Sequence, residues 1–381
     1  MKVKKKTFDI PFIGYDYGHD KNWSFDVLIG QFGNPIIGLQ IKNNVEQYSA
    51  DPEAYLQFHA VLHQVVAIIG ENHIVQKIDI FSKQRYSAEK GNEFLQQKYS
   101  EHFEGRLYKT IDTLLLFSEI VDNTKKKNNY NFSQKSYKTL RDKCQKIFML
   151  LSQSQCEPYF LKEKELNYYI SGILSMNFTK TPSFDNVKAT KEHLIIGNRF
   201  VKTISFVDVE KIDLPSVIET CSTLGGNGSA SETAVDNFTF INELEEYRTI
   251  VYNQIISIPQ QSTRQRELEK KKKKHEGVAK NSPSNAIVAD EIEELLHNIA
   301  LDGQLIVDAH FSISYSADSL EQMEETQSLI ENKLFMKGII VSQNSYNQLE
   351  LFRCCIPGNA VELKDYDLFT TTSEAALCFF F

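Results

Sequence analysis

The chain has 381 residues, with 42 Lys and Arg against 50 Asp and Glu, and a formal net charge of −8. Its 41% hydrophobic and 24% charged fractions are typical of a globular protein, and its overall charge gives no general attraction to nucleic acid. No apolar run reaches the ~18 residues that a membrane-spanning helix needs. The six cysteines form no CxxC pair and no Cys/His metal spacing, which favours reduced thiols in the cytoplasm over disulfides.

Residues 1–122 predict a first α/β unit. Val, Ile, Leu and Phe supply the buried faces of two strands that are joined at Gly33-Asn34-Pro35. A helix begins at Pro52, behind the candidate cap Asp51, and Gly70 follows its last turn. The remaining predicted elements are a strand at 73–83, a helix at 88–103 and a strand at 110–121. This order, ββαβαβ, suggests a ferredoxin-like α/β sandwich.

Residues 123–235 predict a helical linker and a small β region. Lys125, Lys126 and Lys127 stand in an Asn-rich polar break that we interpret as a solvated loop. The other predicted elements are helices near 134–154 and 161–175, one or two strands around Gly197-Asn198, and a flexible loop at 223–231.

Residues 236–381 predict a second α/β unit that contains a charged helical hairpin. Its predicted elements are a strand at 248–257, a charged helix at 260–275, a turn at 281–285, an amphipathic helix ending at Gly303, a strand at 305–315, a helix at 319–335 and a strand at 338–342. In the strand at 305–315, apolar residues alternate with polar ones, which predicts a half-buried strand. The predicted fold class is therefore α+β or α/β, with two ferredoxin-like sandwich units, mainly antiparallel sheets and helical insertions.

The sequence contains few residue patterns that are typical of a catalytic or ligand-binding site. No stretch fits the phosphate-binding pattern GxxxxGK[ST], and the cluster of Gly225, Gly226 and Gly228 lacks the lysine, so we interpret it as a loop. His59 and His63 are four apart on a helix and could be two metal ligands, but the stripe beside them is typical of an ordinary core.

Asp308 and His310 could form an acid–base pair on the polar side of a strand, and the alternative is a solvated sheet face. We therefore predict no catalytic, nucleotide-binding or metal-binding residue, and no cofactor in this chain.

One charge feature is strong. Arg264 and Arg266 precede five consecutive lysines, Lys270, Lys271, Lys272, Lys273 and Lys274, and the following helix is acidic. The interpretations are a solvated tip of a charge-complementary hairpin, a contact with a partner protein, and a contact with nucleic-acid phosphates or anionic lipid. No aromatic residues interleave to stack bases, which argues against nucleic acid.

The last residues are three phenylalanines, Phe379, Phe380 and Phe381. Burying one Phe is worth roughly 1.5–3 kcal/mol, so a soluble protein rarely leaves three of them in water. We expect them to belong to an interior strand whose covering neighbours lie in a further domain.

Three sequence runs resemble the TraG family, the conjugation ATPases of mobile elements in Bacteroides-like bacteria. The first is Pro357-Gly358-Asn359-Ala360, here called the PGNA run. The second is Ala376-Leu377-Cys378-Phe379-Phe380, the ALCFF run, and the third is the HFxxRxY segment formed by His102, Phe103, Arg106 and Tyr108. The resemblance covers most of the chain and is weak at roughly 125–235.

The resemblance implies a non-catalytic N-terminal docking and assembly module of a type IV secretion ATPase. Such a module is expected in the cytoplasm, peripheral to the inner membrane, against other secretion-channel components or neighbouring subunits. ATP and Mg²⁺ are expected only in a C-terminal RecA-like domain that this chain lacks. A nucleic-acid-binding module that uses the Lys270–Lys274 helix is the alternative.

Overall fold

A computed structural model describes residues 10–19, 24–43, 52–87, 93–121, 134–178, 186–206, 220–224, 230–234, 238, 240–245, 247–279, 282–342 and 346–380. The elements of the first part are β1 (Phe12–His19), β2 (Ser24–Gly30), β3 (Pro35–Ile41), α1 (Pro52–Ile69), β4 (His73–Arg85), α2 (Phe94–Phe103) and β5 (Leu107–Glu119). The predicted strand and helix order of this part is confirmed, with β1 added before it.

The middle of the chain is helical and then β-rich. It contains α3 (Gln134–Gln153), β6 (Tyr159–Phe160), α4 (Glu163–Ser175), β7 (Val187–Ala189), β8 (Leu194–Ile196), β9 (Arg199–Ser205), β10 (Thr220–Leu224) and β11 (Ala230–Ala234). The predicted glycine loop at 225–229 lies outside the described residues, between β10 and β11, which pair as a separate two-stranded sheet.

The last part contains two long consecutive helices, α6 and α7. It contains α5 (Phe240–Glu243), β12 (Thr249–Ile258), α6 (Gln261–Ala279), α7 (Pro283–Asp302), β13 (Ile306–Ala317), α8 (Leu320–Phe335), α9 (Gln348–Cys354), two short 3₁₀ turns (Ala360–Glu362 and Asp365–Asp367), β14 (Phe369–Thr372) and α10 (Ser373–Leu377).

Among the described residues, twelve strands form one antiparallel sheet. Ten of them follow the order β1-β2-β3-β5-β4-β12-β13-β9-β8-β7, while β6 pairs with β3 and β14 with β13. At the centre, β12 pairs with β4 from Thr249↔Ser82 to Ile258↔His73. The predicted mixed α and β class with mainly antiparallel strands is confirmed, and the sheet runs continuously from the first predicted unit into the last.

Helices cover both faces of this sheet. On one side, here called the α1 face, side chains such as Val75, Tyr252 and Phe311 pack under α1, α3, α8 and α10. On the other side, the α4 face, Ile78 and Val251 pack under α4 and α9. Because both faces are covered, the central strands bury nearly every residue, including polar ones.

Three local predictions were wrong. The predicted turn at 281–285 is helical from Pro283 onward, because proline at the first helical position has a suitable φ and lacks only an N–H that the first turn leaves unpaired. Strand β13 is buried along its whole length rather than half-buried, because the segment that includes α9 and both 3₁₀ turns covers its polar side. The predicted strand at 338–342 does not form. Ile339 and Val341 are buried there, and the Ser342 N–H makes a 2.8 Å hydrogen bond to the Ser205 carbonyl, but the segment is not part of the sheet ladder.

Candidate docking site

The PGNA run lies on the α4 face, in the turn after α9, and its four residues are buried. Two polar side chains of the central strands hold this turn. The Gly358 N–H donates to Gln76 Oε1 at 2.8 Å, and Gln76 Nε2 donates to the Cys354 carbonyl at 2.9 Å. Asn253 on β12 donates to the same carbonyl at 3.2 Å and accepts from Gln76 at 2.9 Å. The run is therefore clamped to the middle of the sheet.

The ALCFF run is buried on the opposite, α1 face. The ring of Phe379 stacks on the ring of Phe311, with centroids 4.6 Å apart. The backbone carbonyl of Phe379 accepts a 2.8 Å hydrogen bond from Tyr252 Oη. Phe379 is 1% exposed and Phe380 is 2% exposed. The run spans the end of α10 and the turn after it, so the predicted interior strand is wrong. This chain itself buries both rings, so their burial requires no further domain. Phe381 lies outside the described residues.

The HFxxRxY segment spans the end of α2 and the start of β5. The Arg106 guanidinium lies 5.2 Å from the centre of the Phe103 ring, which also makes an edge contact with Tyr86 at 6.2 Å. Tyr108 makes a similar contact with Tyr86 at 6.4 Å, while His102 is exposed beside Phe103. This cluster fixes α2 against the ends of β4 and β5.

Asp308 and His310 do not lie on a solvated sheet face, so that alternative was wrong. Asp308 is 5% exposed, and its carboxylate accepts hydrogen bonds from Thr370 at 2.8 Å and from Arg264. His310 is fully buried, and its Nδ1 bonds the Asp367 carbonyl at 2.8 Å. Burial lowers the pKa of His310 to about 4, so the imidazole is neutral at pH 7. Neither group is open to a substrate in this arrangement.

The two candidate metal ligands of α1 do not converge with other ligands. His59 is mostly buried against the end of the chain, and burial together with the nearby Lys77 charge lowers its pKa to about 4. Within the described ranges, no group of three or more His, Cys, Asp or Glu side chains could hold a metal ion.

A buried ion pair lies under the α1 face, and no sequence pattern pointed to it. Lys77 Nζ and Asp79 Oδ2 on β4 are 2.5 Å apart, and both side chains are completely buried. Asp79 also accepts hydrogen bonds from Thr113 at 2.6 Å and from Gln254 at 2.5 Å. The carboxylate is thus satisfied by donors from three adjacent strands, β4, β5 and β12, as a buried charge requires.

Helices α6 and α7 form the charged hairpin that the sequence predicted. At about 1.5 Å per residue, each helix is roughly 30 Å long. The base is anchored on β13: Gln261 exchanges two hydrogen bonds with the Ile306 backbone, at 2.7 and 2.9 Å, and Arg264 pairs with the buried Asp308. Beyond this base the pair is solvated on its outer sides, and few of its residues are buried, among them Ala289, Ile292 and Ile299.

The five lysines of the run differ in their surroundings: one contacts α7 and four are exposed. Lys272 turns toward α7, where it pairs with Glu293 at 3.1 Å. The other four, Lys270, Lys271, Lys273 and Lys274, are exposed, as is Arg266. The exposed side of α7 carries Asp290, Glu291, Glu293 and Glu294. The hairpin therefore presents a basic and an acidic surface side by side.

The part of the chain that contains the hairpin matches a known protein family. Residues 230–361 match the model of the CagE, TrbE, VirB family, described as a component of the type IV transporter system. The matched segment runs from β11 to the first 3₁₀ turn and includes both the hairpin and the PGNA run. The chain is thus similar to type IV secretion ATPase-like proteins. A search of curated proteins found no match. Among the described residues, no helix is both long and apolar enough to cross a membrane.

Proposed function

We propose that this chain is the docking and assembly part of a type IV secretion ATPase of the TraG kind, acting in conjugative DNA transfer. The family match at residues 230–361 carries the proposal, because it coincides with the hairpin that projects from the sheet. A solvated hairpin with paired basic and acidic surfaces suits a protein contact, since charge complementarity orients partners and suppresses wrong ones. The partners proposed are inner-membrane components of the secretion channel and neighbouring subunits.

The chain is proposed to be non-catalytic. Its 381 residues contain no GxxxxGK[ST] sequence, and the buried Asp308 and His310 offer no accessible acid–base pair. In this proposal ATP and Mg²⁺ bind to a separate domain of the ATPase. Titration calorimetry of the 381-residue chain with Mg-ATP should show no heat of binding. Micromolar affinity would overturn this part of the proposal.

The hairpin contact can be mapped by photo-crosslinking in cells that carry the transfer system. A photoreactive residue in place of the exposed Lys273 should yield a crosslink to an inner-membrane component or to a second copy. The matched control replaces Glu192, an exposed residue between β7 and β8, and should yield none. Equal crosslinking at both positions would show that the hairpin is not a docking element.

A nucleic-acid-binding role is the second candidate, because four lysines of the run are exposed. It predicts binding to duplex DNA at low salt that falls steeply as salt rises. Changing Lys270, Lys271, Lys273 and Lys274 to Gln should then abolish the binding. If the unchanged chain does not bind DNA at low salt, the docking role is favoured.

A further inference from the structure

The two broad faces of the hairpin formed by α6 and α7 differ in how their charges are paired. On one face, here called the paired face, Lys272 contacts Glu276 of its own helix at 3.6 Å and Glu293 of α7 at 3.1 Å. The second contact also sets the alignment of the two helices. Because they are antiparallel, a residue two positions after Lys272 lies level with a residue two positions before Glu293.

The opposite side of α6 carries Lys271, Lys274 and Val278. At about 100° per residue, these positions lie roughly 140–160° around the helix from Glu276. All three side chains are exposed, Val278 by 50%. Spacings of three and four residues place them in one row along the helix. The row is basic along most of its length and apolar near the tip of the hairpin.

The same side of the hairpin carries a row of α7 that consists of Ile287, Glu291 and Glu294. These positions lie roughly 100–160° around the helix from Glu293. All three side chains are exposed, Ile287 by 58%. This row is acidic along most of its length and, like the row of α6, apolar near the tip. We call the face that holds both rows the open face.

Each position of the α6 row is level with a position of matching character in the α7 row. The contact between Lys272 and Glu293 gives the level pairs Lys271 with Glu294, Lys274 with Glu291, and Val278 with Ile287. In the part of the chain that the structure describes, the four charged side chains of these pairs make no ion pair. Glu267, the next position of the α6 row toward the base, pairs with Arg264 at 2.9 Å.

The open face is complementary to a second copy of itself. A two-fold axis parallel to the hairpin would bring α6 of one copy against α7 of the other at the same height, so each basic row would meet an acidic row. The exposed apolar side chains near the two tips would also meet. An isologous contact requires that the two halves of one surface complement each other, whereas a contact with a different protein imposes no such relation.

We propose that the hairpin docks on the hairpin of a second copy of this chain, open face to open face, as a four-helix bundle. The inference names the partner for the docking role proposed above and rests on that role. Two helices about 30 Å long and about 10 Å apart offer at most roughly 600 Å² per copy, somewhat less than the ~800 Å² of a standard interface. Exposed charge pairs contribute little each and are screened by salt, so we expect a weak, salt-sensitive dimer.

Sedimentation equilibrium of the full 381-residue chain tests the proposal by charge reversal. At low salt and about 100 μM protein, the unchanged chain should form dimers that dissociate as the salt concentration rises. Lys271→Glu combined with Lys274→Glu should raise the dissociation constant about tenfold or more, because it places like charges opposite each other. Glu291→Lys combined with Glu294→Lys should do the same.

A mixture of the two reversed variants separates self-association from a general effect of charge. In the mixture, each row of one variant meets a row of opposite charge in the other, so heterodimers should form although each variant alone is largely monomeric. The matched control, Lys188→Glu with Lys191→Glu, makes the same change in net charge as the lysine reversal at exposed positions on and beside β7. It should leave the dimer unchanged. The unfolding temperature of each variant checks that the fold is kept.

A chain that is monomeric at low salt, a dimer that neither reversal weakens, or a mixture that stays monomeric overturns the proposal. The docking role can survive these results. If the chain is monomeric while the crosslink from Lys273 reaches an inner-membrane component, the hairpin docks on a different protein, and only the pairing of two hairpins is wrong.

Discussion

Gly358 of the PGNA run has a backbone conformation that only glycine adopts without strain. Its φ is +79°, and a Cβ built there would lie 2.6 Å from Cγ2 of Ile36. The left-handed conformation costs an L-residue about 1–2 kcal/mol, and overpacking a core adds roughly 1–3 kcal/mol. The family-like glycine is therefore explained by the close approach of the turn to β3.

We expect Gly358→Ala to lower the free energy of unfolding by about 2–4 kcal/mol. Gly105→Ala is the matched control, since Gly105 has a φ of +74° but no atom within 4 Å of its Cβ position. That variant should lose only the conformational part, about 1 kcal/mol. Urea unfolding measures the loss in the free energy of unfolding for both variants. Equal losses would show that Ile36 moves to accommodate the added methyl group without an energetic penalty.

His310 makes the stability depend on pH. Burial holds its pKa at about 4 in the folded protein, below the 6.5 of an unfolded histidine, so its stabilising contribution is complete above pH 6.5 and is lost as the pH falls toward 4. Asp367, whose backbone carbonyl bonds His310, acts in the opposite direction. Burial raises its pKa to about 6, so its carboxyl favours the folded state increasingly as the pH falls from 6 toward 3.8.

His310→Asn separates the two effects, because the amide nitrogen of asparagine takes the position of Nδ1 and can still donate to the Asp367 carbonyl. Between pH 7 and pH 5 the histidine contributes a loss of about 2 kcal/mol that the asparagine cannot show. Chemical unfolding of both proteins at the two pH values should therefore give a smaller decline for the variant. Parallel declines would mean that His310 is solvated in the folded state.

Sequence patterns predicted the structural roles of some of these residues but not of others, and the difference has a physical reason. Alternation along β13 showed correctly which side chains share a face, but not whether the polar face is covered, because that depends on residues 346–368. The PGNA run was recognised as a motif, yet its clamp was not, since Gln76 and Asn253 are 177 residues apart and each stands in an apolar strand. Buried amides carry no local signal, because only the assembled sheet brings them together.

At the scale of elements, the hairpin shows where local patterns suffice. The charge run and Gly303 are local signals, and they predicted most of α6 and the end of α7, whereas Pro283, which the sequence analysis placed in a turn, is the first residue of α7. The anchoring of the hairpin was not predictable in the same way. In the sequence, Arg264 looks like any other surface charge. In the structure, it pairs with Asp308, whose side chain is only 7% exposed.

We expect Arg264→Met to destabilise the base of the hairpin, because it leaves a buried carboxylate without its cation, a loss on the order of 1–3 kcal/mol. Hydrogen exchange should accelerate in α6 and at the start of β13. Arg248→Met is the control, since Arg248 and Asp318 are 57% and 50% exposed and such surface pairs contribute about 0–1 kcal/mol. Equal exchange in the two variants would show that Gln261 alone anchors the hairpin.

For the whole molecule, the central question is whether the predicted units 1–122 and 236–381 unfold separately. The pairing of β4 with β12 joins them through ladder hydrogen bonds, and the core of the α1 face includes side chains from both, such as Val66 of α1 and Ile330 of α8. A shared core of this size couples the two units, since opening either one exposes the apolar surface of the other.

We therefore expect a single cooperative unfolding transition. Ile256→Ala on β12 removes a fully buried side chain and should cost about 2–5 kcal/mol. Because β12 lies between the two units, hydrogen exchange should accelerate by a similar factor in the slowest amides of α1 and of α8. The exposed Leu301→Ala on α7 is the control and should change neither. Two resolved transitions, or an effect confined to α8, would show instead that the predicted units are independent folding domains that merely abut along β4.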